Sequence, residues 1–142
     1  MRGYRDFVSL SSARLESRKL FLCLGDKNQL PAVFHCTTEK DRTGWATAAL
    51  LTLLGVPPDK VMEDFLRSNE YIIPKYKPVI DGFAEAGGGK AIPATILGVK
   101  KEYLKAAFDE MEKKYGTIEN YFSDGLGINT ARQRALRELY LE

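Results

Sequence analysis

Residues 30–44 read LPAVFHCTTEKDRTG, a short apolar run that stops at a histidine and passes through a polar loop into a second apolar segment. The run LPAVFH, residues 30–35, mixes β-branched and aromatic members and predicts a strand buried on both faces. Residues 43–54 are small or apolar nearly all round (Trp45, Ala46, Ala48, Ala49, Leu50, Leu51, Leu53, Leu54) and predict a fully buried helix that begins near Asp41 or Arg42 and is ended by Gly55. A buried strand feeding a buried helix through a tight loop constrains the chain to an α/β arrangement. At such a junction the loop amides can curl toward one point at the positive end of the helix dipole, which is a place for an anion.

The residue types in that loop define a chemistry. Cys36 follows the predicted strand directly. A free thiol ionises near about 8.5, and a helix N-terminus with a guanidinium beside it lowers that value by several units, so Cys36 is a candidate nucleophile as the thiolate. Arg42 offers a planar fork able to hold two oxygens of a phosphoryl group and to stabilise charge as a P–O bond breaks. Thr43 is placed to hydrogen-bond the cysteine sulfur and ease its departure. The pattern His-Cys, five residues, Arg-Thr-Gly arises by chance in a chain of this size on the order of once in ten thousand, from average residue usage.

Elsewhere the punctuation predicts helices. Tyr4, Phe7, Val8 and Leu15, then residues 20–24, recur at helical spacing up to Gly25, with a break expected around Ser11 and Ser12. A polar turn follows at residues 26–29. Pro57, Pro58 and Asp59 open another helix, with the stripe Val61, Met62, Phe65 and Leu66. Pro74 and Pro78 interrupt the next stretch, and residues 86–90 with Pro93 read as a flexible connection suited to a lid. Tyr103, Leu104, Ala107, Phe108 and Met111 mark an amphipathic helix stopped at Gly116, and Thr117 caps a shorter one through Phe122. Thr130-Ala-Arg-Gln133 resembles a capping box for a last helix with the stripe Leu136, Leu139 and Tyr140. Cys23, on an apolar stretch, reads as a packed core thiol.

Composition narrows the class of function. With 142 residues, 44% hydrophobic and 28% charged, residues 1–142 can form one domain with a real core. The net charge is +2, with basic residues dispersed among acidic ones, so no nucleic-acid partner is expected. The longest apolar run, residues 45–56, is too short to span a bilayer, and the opening segment lacks the apolar core of a secretory signal. Two cysteines make no disulfide framework, which fits a reducing, cytoplasmic location.

The segment HCTTEKDRTGW resembles the signature of the bacterial tyrosine phosphatase family whose loop reads His-Cys-x-x-Gly-Lys-Asp-Arg-Thr-Gly. The likeness extends through AALLTLLGVPPDKVMEDFLRSNEY and more loosely to KYGTIENYFSDGLGI, and the chain is similar to the C-terminal half of that family. The resemblance implies a tyrosine-phosphatase-like α/β fold, mostly helical, with one central strand leading into the phosphate-binding loop. It implies hydrolysis of phosphotyrosine-type monoesters through a phosphocysteine intermediate, without metal or cofactor. The substrate would be a phosphorylated protein or a small phosphomonoester, phosphoinositides included. Residue by residue, it makes Cys36 the nucleophile, Arg42 the phosphate clamp and Thr43 its catalytic neighbour. Thr37, Thr38, Glu39, Lys40, Asp41 and Arg42 become the substrate cradle, with Lys40 reading anionic substrates and Asp41 assisting proton transfer or ordering the loop. His35 would orient the loop through hydrogen bonds.

Glu39 stands where the family has glycine, which brings a Cβ and a carboxylate to the rim of a dianion site and is expected to weaken it. The alternative to an enzyme is a phosphate- or phosphoprotein-binding module derived from a phosphatase. Finally, a lone strand at residues 30–35 would leave backbone groups unpaired, so self-association through that strand is expected.

Overall fold

The helical periodicities of the sequence are realised almost throughout, and the strand is not. The structure is a computed structural model that describes residues 2–37, 40–89 and 96–141. Helix α1 (Arg2–Ser9) and helix α2 (Ser11–Leu24) meet at Leu10, whose backbone is extended (φ −70°, ψ 133°), so the break falls one residue before the predicted serines. A 3-10 turn (Lys27–Gln29) follows, with the Asp26 side chain accepting from the Asn28 amide at its start. Then come α3 (Asp41–Leu53), α4 (Pro58–Lys75), α5 (Lys77–Glu85), α6 (Lys101–Tyr115), a single turn α7 (Ile118–Asn120) running into a π-helical turn (Tyr121–Gly125), and α8 (Thr130–Tyr140). No helix among the described residues is long and apolar enough to cross a membrane.

Residues 30–36 correct the expected α/β class, because no strand forms among the described residues. The run read as buried on both faces lies largely in solvent: Val33 is 93% exposed, and Pro31, Ala32 and His35 are exposed beside it. A helix satisfies its own N–H and C=O groups, whereas a strand acquires its ladder only from a neighbouring strand. Every other long segment of the described chain turns helical, so this one has no strand to pair with among the described residues. The expectation of self-association loses its premise with the strand.

The core is built where α3 crosses its neighbours. Trp45, Ala46, Ala48, Ala49 and Leu53 of α3 are buried, against Phe65 of α4, Leu104 and Met111 of α6, and Tyr121 and Phe122 of the π turn. Trp45 packs edge-on against Phe108 and Tyr121, with ring centroids at 5.3 and 5.7 Å, and donates its indole N–H to the Tyr121 hydroxyl (3.3 Å). The Ala positions let helices approach closely, and Gly44 extends that logic. A Cβ there would sit 2.9 Å from the Phe65 ring, so only glycine lets the first turn of α3 seat on α4.

Several boundaries sharpen or correct the sequence reading. Gly55 (φ +89°) and Gly116 (φ +79°) follow α3 and α6 in a conformation that favours glycine, as expected. Pro74 lies inside α4 near its end, and the break comes at Tyr76, after which Pro78 sits in the first turn of α5. The cap of α8 is Asn129, not Thr130: its side chain accepts from the Arg132 amide at 3.0 Å. Gln133 instead donates to the Glu119 and Ile128 carbonyls (3.0 and 2.9 Å), because the capping frame is shifted by one residue. Cys23 is exposed rather than packed in the core. Of the segment read as a lid, Lys90 and Pro93 lie outside the described residues.

Candidate phosphate site

The loop enters from residues 30–36 and ends on the first turn of α3, with Cys36 at its start and Arg42 at its end. Both line one cleft of about 630 Å³, with Thr43 and His35 beside them and Phe7 and Phe34 among the apolar residues of its walls. Cys36 is half-buried. The Arg42 guanidinium is exposed and donates to the Thr37 hydroxyl at 2.9 Å, which holds the two described ends of the loop together. Thr43 carries a buried hydroxyl oxygen with no hydrogen-bond partner among the described residues, an uncommon cost for a polar atom. His35, expected to orient the loop, is exposed. Thr38 and Glu39 lie outside the described residues.

Lys40 and Asp41 are arranged differently from a substrate-facing pair. Lys40 is only 7% exposed, and its ammonium turns inward to both Asp41 oxygens (3.0 and 2.8 Å) and to the Gly98 carbonyl (3.5 Å). Burying an ammonium is tolerable only with such partners, so the Asp41 carboxylate is what permits this position. Asp41 also sits in the first turn of α3, where a negative charge meets the positive helix end. Residues 98–99 are fixed in turn by Asn69 of α4, whose side chain donates to the Val99 carbonyl (2.9 Å) and accepts from the Val99 amide (2.8 Å).

Tyr4 of α1 completes the arrangement. Its hydroxyl donates to Asp41 Oδ1 at 2.6 Å across 37 positions of chain. Burial first, then the hydrogen bond to Asp41 and the charge of that carboxylate, push the Tyr4 phenol well above the usual tyrosine range, so it is a donor at neutral pH. The sequence placed Tyr4 on an apolar helix face and so gave its burial. Nothing local gave its hydroxyl a partner.

The sequence pattern of the tyrosine phosphatase family matches residues 1–142. A candidate tyrosine-protein phosphatase of Cupriavidus necator is 33% identical over 102 residues, covering 72% of this chain and 37% of that protein. The triple specificity protein phosphatase PtpB of Mycobacterium tuberculosis is 27% identical over 149 residues, covering 97% of this chain and 53% of that protein. A tyrosine-protein phosphatase of Nostoc commune is 31% identical over 84 residues, covering 59% of this chain and 28% of that protein. The chain therefore corresponds to roughly half or less of the length of the curated relatives it matches.

Proposed function

Because the chain belongs to the tyrosine phosphatase family, we propose that it carries the nucleophile and phosphate clamp of a cysteine-dependent phosphatase acting on phosphotyrosine-type monoesters. The observation that carries this reading is the shared cleft of Cys36, Arg42 and Thr43 at the N-terminal turn of α3. Cys36 Sγ attacks phosphorus as the thiolate, the ester P–O bond breaks, and the aryl oxygen leaves with a proton. Water then attacks the phosphocysteine, the S–P bond breaks, and inorganic phosphate and the thiolate are released. Arg42 holds two equatorial oxygens through both displacements, and the loop amides carry the remaining charge without reorganising.

Thr43 fits the second displacement. Its buried hydroxyl, without a partner among the described residues, is a donor available to the sulfur, which must depart as an anion. Asp41 is the loop's candidate general acid, and to give the leaving oxygen a proton it must first take one up and release Lys40 or Tyr4. One observation favours the alternative of a phosphate-binding module: Lys40 and Asp41 are already engaged with each other and with Tyr4. In that reading they serve the loop's shape, and phosphate is held without rapid turnover.

Hydrolysis of a simple aryl phosphate, measured on the wild type and on Cys36→Ser, separates the two. The enzyme reading expects turnover that the substitution lowers by at least about a thousandfold. Phosphate binding without hydrolysis in the wild type would establish the module instead, and turnover that survives the substitution would refute the covalent route.

A further inference from the structure

Tyr4 stands outside the sequence motif, yet its hydroxyl reaches the loop's carboxyl group from 37 positions away. Three observations converge on it. Its hydroxyl makes a 2.6 Å hydrogen bond to Asp41 Oδ1, while Lys40 Nζ bridges both oxygens of the same carboxylate. Its ring is fixed by aromatic neighbours on three sides, Phe7 at 5.2 Å, Tyr103 at 5.5 Å and Phe65 at 6.1 Å between centroids, so the hydroxyl has little freedom to swing away. Finally, Phe65 is the residue that Gly44 allows against the first turn of α3, so the ring that holds Tyr4 also seats the helix that carries Asp41 and Arg42.

We propose that Tyr4 is a positioning residue of the phosphate site, acting through Asp41 to hold the Lys40–Asp41 pair and the first turn of α3 in the geometry that the loop requires. The proposal rests on the phosphatase reading above and deepens it. A carboxylate held by a phenol on one oxygen and an ammonium across both presents one orientation, and because Asp41 opens α3 that orientation ties the turn carrying Arg42 to α1. Without the phenol, Asp41 retains Lys40 but loses the contact that sets its rotation. Among the described residues, the other partner of Lys40 is the Gly98 carbonyl.

Tyr4→Phe tests this cleanly, because it keeps the ring and its aromatic contacts and deletes only the oxygen. The variant is expected to melt within a few degrees of the wild type, to lower kcat on an aryl phosphate about tenfold, and to leave KM within about twofold. A double-mutant cycle with Asp41→Asn supplies the readout that general packing would not move: in the Asp41→Asn background, Tyr4→Phe should change kcat by less than about twofold. The same cycle is read in the affinity for tungstate, an unreactive oxyanion. Equal losses in both backgrounds, or no loss in either, overturn the proposal while leaving the phosphatase reading intact. A wild type that binds tungstate with coupled Tyr4 and Asp41 effects but turns nothing over upholds the proposal and refutes the enzyme. Absence of both turnover and tungstate binding overturns both.

Discussion

Residues 30–36 and helix α3 flank the same loop, and both are rich in apolar side chains, yet they meet opposite fates. In α3 the alanines, Trp45 and Leu53 go to the core, whereas Val33 stands almost wholly in solvent. The difference lies in the backbone. A helix closes its hydrogen bonds within itself and needs only a surface to bury its side chains against, which α1, α4, α6 and α7 supply. An extended segment must also find a hydrogen-bonding neighbour, and among the described residues none is a strand. Half of the loop's frame is thus set by core packing and half by a segment with few ties.

Substitutions can break or sharpen that contrast. The largest loss of stability is expected from Trp45→Ala, which removes a fully buried indole and its aromatic contacts and should cost roughly 3–5 kcal/mol in chemical denaturation. Gly44→Ala comes next. Its methyl group meets the buried Phe65 ring at under 3.0 Å, so about 1–3 kcal/mol is expected, together with weakened oxyanion binding as the first turn of α3 is pushed off α4. Val33→Ser should be the mildest, within about 0.5 kcal/mol of the wild type, since the side chain buries almost nothing. A Val33→Ser loss comparable with that of Trp45→Ala would mean that residues 30–36 are packed in solution and that the contrast is false.

How far the sequence could be read follows from the same physics. The loop motif was legible because Cys36, Arg42 and Thr43 stand at fixed short spacing, and α3 was legible because an all-round apolar helix has no other stable place. The strand at residues 30–35 was misread because apolarity predicts burial but not the partner that a ladder requires. Asn129 was missed as a cap because Thr130, one position along, also has a capping side chain. Tyr4 shows the limit most clearly: helical spacing predicts that it is buried, but its bond to Asp41 joins residues far apart in the chain and exists only once α1 has packed. The inward turn of Lys40 was hidden for the same reason, since its second partner, the Gly98 carbonyl, lies 58 positions away.

The central claim is that residues 36–42 form a phosphatase loop with Cys36 as its nucleophile. The most direct measurement is the aryl-phosphate comparison of wild type and Cys36→Ser, with the transferred phosphoryl group traced after rapid acid quench. The account predicts a phosphoryl group on the Cys36 sulfur of the wild type during turnover, and neither label nor turnover in the variant. Turnover in the wild type with no phosphoryl group ever on Cys36, and at an equal rate in Cys36→Ser, would contradict it.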